Sequence, residues 1–114
     1  MKLLFENKKL ENNISNIDNV KEWAKPLKKN LTKIIKYLKS VNSFKEMFIE
    51  KMFGLHHLHS DRETEWTMKI DYSYRLIFSL CDDEGNVIIN KDCVNIANNI
   101  KILLIKEVSN HYAK

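Results

Sequence analysis

Glycine and proline are scarce, with 2 Gly and 1 Pro among 114 residues. That scarcity argues against long irregular loops and predicts that regular elements carry most of the chain. Cysteine is equally sparse: Cys81 and Cys93 stand twelve positions apart with no others. Two are too few for a disulfide framework or a four-cysteine zinc site. Neither has a thiolate-activating neighbour, so reduced thiols without a catalytic role are expected. No apolar run approaches the ~18 residues that a membrane-spanning helix needs. The opening MKLLFENKKL has no sustained apolar stretch and no small-residue cleavage site. A signal peptide is therefore not expected, and the expected location is cytoplasmic. No internal repeat or low-complexity segment is present.

Apolar residues make up 44% of the chain and charged residues 30%, the composition of a folded globular protein. Its length predicts one domain over residues 1–114 with a single modest core. A net charge of +4 and a pI near 9.0 suit an anionic partner such as nucleic acid, although many soluble domains carry as much.

Residues 2–5 read as a short strand. Asn7 is placed to cap a helix that starts at Lys8 and carries Leu10, Ile14 and Ile17 on one face. Asp18 or Asn19 caps a following helical turn bearing Val20, Trp23 and Leu27. Pro26 then ends or kinks that turn, or sits in the first turn of a new helix. Leu27, Leu31, Ile34, Ile35, Leu38 and Val41 form a stripe of helical period, with Lys28, Lys29, Lys33, Lys36 and Lys39 off it. Two antiparallel helices before residue 42 follow from this. Ser43 and Glu46 make a capping-box pattern for a third helical segment, which Gly54 is expected to stop. Residues 55–63 read as a connecting loop.

A hairpin is predicted over Glu65 to Leu80. Trp66, Met68 and Ile70 alternate with Thr67 and Lys69, Asp71 to Ser73 make a turn without glycine, and Tyr74, Leu76, Phe78 and Leu80 alternate with Arg75, Ile77 and Ser79. The bulkier apolar face should meet the helices, leaving Arg75 on the open face; one bulge would reverse this. Turn chemistry at 82–86 and a small extra strand at 87–89 follow. Residues 90–99 show no clear pattern. Residues 100–108, IKILLIKEV, are apolar on both faces and read as a central strand. The whole predicts an α+β fold: a short N-terminal strand and two N-terminal helices packed on an antiparallel sheet with a C-terminal central strand.

Arg75 is the first candidate for chemistry. A cation inside an apolar strand needs solvent or a partner. A carboxylate such as Glu65 or Glu107 is one partner; a phosphate, which suits a planar guanidinium, is the other, and the sequence leaves both open. His111 and Tyr112 follow the last strand. An imidazole, titrating near pH ~6.5, exchanges protons at neutral pH, and a tyrosine can donate, orient or stack; a frayed tail without a role is the plainer alternative. His56, His57 and His59 form HHLH, more readily a structural cluster than a metal site, since no further ligand stands at a convincing spacing. The lysines of the second helix are ordinarily its solvated face, and would also suit a polyanion or an acidic partner.

As a set, FENKKLE, LHHLHSDRETEWTMKI, YRLIF at Tyr74 to Phe78 and the closing IKILLIKEVSNHY resemble a HigB-type toxin of the RelE/ParE superfamily, from Phe5 to the C-terminus. The order of elements agrees with it. The resemblance implies a RelE-like fold and the toxin of a type II toxin–antitoxin system: a ribosome-dependent mRNA endonuclease that needs no metal or other cofactor. The implied partners are a cognate helix-turn-helix (HigA-like) antitoxin, mRNA and the ribosome, with operator DNA bound indirectly through the antitoxin and no membrane. Arg75 matches the family arginine that stabilises phosphate charge. His59 takes the place usually held by a lysine before Gly-Asp, with Ser60-Asp61 following. Where the family often ends Asp-Tyr-His, Asn110-His111-Tyr112 carries the histidine and tyrosine in exchanged order. The implied catalytic set is thus Arg75, His111, Tyr112 and His59, with Lys69, Lys101 and Arg62 contacting RNA. Residues 82–99 resemble an insertion found in longer members. Two alternatives stand beside this reading: a non-enzymatic ParE-like inhibitor of a protein target such as gyrase, and a weakened toxin fold that only binds its antitoxin.

Overall fold

The structure, a computed structural model, describes residues 1–58, 62, 64–89 and 93–110. It is α+β, with three α-helices and one five-stranded sheet. Strand β1 (Lys2–Phe5) leads into α1 (Lys8–Ser15), α2 (Lys25–Ser40) and α3 (Phe44–Glu50). Strands β2 (His56–His57), β3 (Glu65–Lys69), β4 (Arg75–Cys81) and β5 (Ile102–Ser109) complete the sheet. Its order is β1-β5-β4-β3-β2.

Helix α1 begins where Asn7 accepts a hydrogen bond from the Leu10 backbone N–H at 2.9 Å, satisfying one of the helix's orphan donors. After a 3₁₀ turn at Ile17–Asn19, α2 starts from Ala24 with Pro26 in its first turn, where the missing N–H costs nothing. The stripe on α2 is buried at Leu27, Leu31, Ile34, Ile35 and Leu38. Together with Leu10 of α1 and Phe44 and Met47 of α3 it packs on Trp66, Met68, Leu76, Phe78, Leu80, Leu103 and Ile105 of the sheet.

Several local expectations are corrected. Ser43 makes no side-chain cap; instead Glu46 accepts from the Asn42 backbone N–H at 3.3 Å, and the N–H of Phe44 donates to the Ile100 carbonyl at 2.9 Å. A tertiary bond has taken over part of the capping. Gly54 does not end α3: Lys51 does, in the left-handed region at φ 50°, three residues earlier than expected. The supposed loop at 55–63 contains β2, which pairs antiparallel with β3 as His56↔Thr67 and His57↔Trp66. The strand expected at 87–89 is only an isolated bridge, Cys81↔Val87.

The sheet is mixed, not antiparallel throughout: β1 runs parallel to β5, from Lys2↔Ile102 to Phe5↔Ile105. Hydrophobic period carries no information on strand direction, and the helical crossover after β1 permits the parallel choice. Strand β5 is interior as expected, held by β1 on one side and β4 on the other, while β4 is the middle strand of the five.

The hairpin has the expected faces. Trp66 opposes Phe78 and Met68 opposes Leu76 toward the helices; Thr67 opposes Ile77 and Lys69 opposes Arg75 on the other side. A bulge does occur, on β5: Ile77 pairs with Glu107 but Phe78 pairs with Ile105, leaving Lys106 as the extra residue. Alternation in β4 is therefore undisturbed. In β5 the parity switches, so Leu103 and Ile105 before the bulge and Val108 after it all meet core partners. Among the described residues no helix is long and apolar enough to cross a membrane.

Candidate functional site

The face of the sheet opposite the helices is not uniformly wet. Ile77, Ser79 and Thr67 on it are buried. Across it lies a charge cluster made by the bulge. Arg62 donates through Nε to Glu65 and through Nη2 to Glu107 at 3.2 Å, while Lys106 Nζ lies 3.0 Å from the second oxygen of Glu65. Burial alone would raise the Glu65 pKa. The hydrogen bonds and charges of Arg62 and Lys106 outweigh it and hold the carboxyl below its ordinary range. The Arg62 guanidinium is correspondingly raised, chiefly by its hydrogen bond to Glu65.

This cluster bears on Arg75. Both carboxylates considered as its partners, Glu65 and Glu107, are engaged by Arg62 and Lys106. Arg75 itself makes no ion pair among the described residues. It is half-buried, and its cross-strand neighbours are Lys69 on β3 and Ser109 on β5. Two cations directly opposite on neighbouring strands repel, with Cβ atoms about 5 Å apart by sheet geometry. Lys69 has no ion pair among the described residues either; its Nζ lies 6.0 Å from the Tyr72 ring centroid.

These cations border a cleft of about 590 Å³ lined by Gly54, Leu55, His56, Leu58, Thr67, Lys69 and Arg75. Gly54 on this lining and Phe53 before it both take positive φ, 63° and 58°. On its lining the hydroxyl Oγ1 of Thr67 is buried without a hydrogen-bond partner among the described residues, as is Ser79 Oγ further along the same face, a state that natural structures seldom leave unexplained. His56 pairs with Thr67 and stands on the same face. Its neighbour His57 goes the other way, stacking on Trp66 at 4.4 Å and 16°. The strand period thus separates the two adjacent histidines. Among the described residues no three His, Cys, Asp or Glu side chains are grouped to hold a metal.

The expected site residues divide as follows. Arg75 and Lys69 are brought together in one cleft. Arg62 is committed to carboxylates beside it. Lys101 precedes the opposite end of β5 from Ser109, the partner of Arg75; seven strand steps separate those ends by about 23 Å. His59, His111 and Tyr112 lie outside the described residues, as does the side chain of Cys93. Cys81 is a free, buried thiol whose pKa is raised by burial and then by Asp82, which opposes thiolate formation. Sequence reasoning missed Thr67 and weighed His56 only as part of the HHLH cluster. Both owe their place to the β2–β3 pairing, and only the polar position of Thr67 in an apolar alternation hinted at it.

A second basic concavity, about 540 Å³, lies along α2 between Lys25, Lys28, Lys29, Lys33 and Lys36. Two of its polar side chains are engaged: Thr32 Oγ1 donates to the Lys28 carbonyl at 2.8 Å, and Lys28 Nζ donates to the Asp18 carbonyl at 3.0 Å. Among the described residues none of its side chains is buried and unpartnered, unlike Thr67 in the cleft at Arg75. No protein-family model, curated protein or solved structure matches the chain.

Proposed function

We propose that the chain is a HigB-like toxin of a type II toxin–antitoxin system, a ribosome-dependent mRNA endonuclease whose phosphate-binding centre is the cleft at Arg75. One observation carries this reading. Lys69 faces Arg75 across β3 and β4 with no carboxylate for either among the described residues, beside the unpartnered hydroxyl of Thr67. Like charges kept opposite each other call for an anion, and a phosphodiester supplies one.

The chemistry uses no group beyond the chain and its substrate. A base removes the proton of a ribose 2′-hydroxyl, the freed oxygen attacks the adjacent phosphorus, and the bond to the 5′-oxygen breaks as an acid returns a proton to it. The products are a 2′,3′-cyclic phosphate and a 5′-hydroxyl. Arg75 and Lys69 stabilise the charge that builds on the phosphoryl oxygens in the transition state. His111 is the proposed acid or base, with Tyr112 and His59 assisting. His111 follows Ser109, the β5 partner of Arg75, by two residues. The antitoxin, ribosome and operator contacts named above belong to the same proposal.

Induced expression with mapping of transcript ends tests it. Codon-linked cuts and growth arrest are expected, and Arg75→Ala should abolish both while the purified variant melts as the wild type does. Intact transcripts with DNA damage would replace this reading with inhibition of a protein target. Undiminished toxicity of Arg75→Ala would remove the cleft from the mechanism.

A further inference from the structure

The hairpin tip presents a feature that phosphate binding does not use. Tyr72 is 89% exposed, the most exposed large hydrophobic side chain among the described residues. It is not on a loose loop. Asp71 Oδ1 accepts from the backbone N–H groups of Ser73 and Tyr74, both at 2.8 Å, and the Ile70 N–H donates to the Tyr74 carbonyl at 3.0 Å. The turn is thus pinned on both sides of Tyr72, which stays in water. The Lys69 ammonium lies over one face of the ring, 6.0 Å from its centroid, leaving the other face for a ligand, and Lys69 is directly opposite Arg75. An exposed aromatic ring with an ammonium over one face therefore adjoins a pair of cations that have no carboxylate partner among the described residues.

We propose that Tyr72 is a base-stacking platform, so that the cleft takes a single-stranded segment with a phosphate on Lys69 and Arg75 and the neighbouring base on the Tyr72 ring. This rests on the phosphate-binding reading of the cleft and adds strand state to it. A base within a duplex is already stacked on both faces and cannot cover the ring, whereas an unpaired base can. Stacking does not depend on base identity, so Tyr72 favours single strands without selecting a sequence. The Lys69 ammonium at the ring adds a charge for the sugar–phosphate chain leaving the stacked base.

The test is fluorescence anisotropy with a labelled RNA oligonucleotide carrying 2′-O-methyl groups, which block attack by the 2′-oxygen, as a single strand and as a blunt duplex of the same sequence. Tyr72→Ala should weaken single-strand binding roughly 5- to 150-fold, corresponding to about 1–3 kcal/mol per stacked base. Its effect on the duplex should stay within about twofold. Tyr72→Phe and Tyr72→Trp should retain binding, because the ring rather than the hydroxyl carries the contact. Arg75→Ala separates the two layers. If it abolishes binding and Tyr72→Ala leaves single-strand affinity unchanged, stacking is refuted and the phosphate site stands. Should the wild type not bind the single strand, the platform falls and so does RNA recognition by the cleft outside the ribosome; should Arg75→Ala have no effect on binding, both the platform and the phosphate site fall. Equal losses on single strand and duplex in Tyr72→Ala would also refute the platform.

Discussion

Replacing Glu65 with glutamine tests how the open face of the sheet is held. The Glu65 side chain is 9% exposed, against 31% for Arg62 and 30% for Lys106. Glutamine preserves the shape and one acceptor for Arg62, but presents its NH₂ to the Lys106 ammonium, donor against donor. A charge-assisted bond contributes about 1.5–3 kcal/mol and a neutral one about 0.5–1.5. Weakening the Arg62 bond and losing the Lys106 bond then costs roughly 2.5–4.5 kcal/mol, and about 2–3 kcal/mol once the solvent access of both cations is discounted. The ~3–5 kcal/mol of a fully buried broken pair is an upper bound, because both cations keep access to water and Arg62 keeps Glu107. For a chain of this size the loss corresponds to a fall in Tm of about 10 °C.

The pH dependence separates charge from shape. The folded-state pKa of Glu65 lies below its ordinary value of 4.5. Its ionisation therefore stabilises the fold fully above that value, and the contribution is lost as pH falls through the folded pKa. Thermal melts followed by circular dichroism at pH 7, 5 and 3 should show the full gap between wild type and Glu65→Gln at pH 7, most of it at pH 5, and a much smaller one at pH 3. A gap of the same size at all three would mean that the carboxylate's charge is irrelevant. One below about 0.5 kcal/mol at pH 7 would mean that the cluster holds nothing.

Thr67→Val should raise Tm by a few degrees, since it removes a buried hydroxyl without a partner, while weakening RNA binding if that hydroxyl meets the ligand; thermal melts and the anisotropy assay read the two effects separately. Asp71→Ala removes both side-chain bonds of the hairpin turn and should cost about 1–2 kcal/mol by urea unfolding, with looser presentation of Tyr72. Phe78→Ala, at a fully buried position between helices and sheet, should cost about 3–5 kcal/mol in the same experiment. Raising salt from 50 to 200 mM should weaken wild-type RNA binding, and a plot of log affinity against log salt should flatten in Arg75→Ala by about one released ion.

What could be read from the chain alone was whatever repeats locally. The α2 stripe, the Asn7 cap, the Asp71 turn and the two faces of the hairpin follow from side-chain period and from hydrogen bonds spanning a few residues. Arg75 could be placed on the open face for that reason. Contacts between distant segments were not legible. The parallel entry of β1 beside β5, the pairing of His56 with Thr67, and the ending of α3 at Lys51 depend on which segments meet, and no local pattern encodes that. The Arg75 question shows the difference most plainly. Sequence identified a strand cation and two possible carboxylate partners; only the fold, through the bulge at Lys106 that aligns Lys106 and Glu107 with Arg62 and Glu65, assigned those carboxylates to other cations. Composition and period determined the elements and their faces, because these depend on near neighbours. Tertiary structure decided which charges are neutralised, because that depends on distances across strands far apart in the chain.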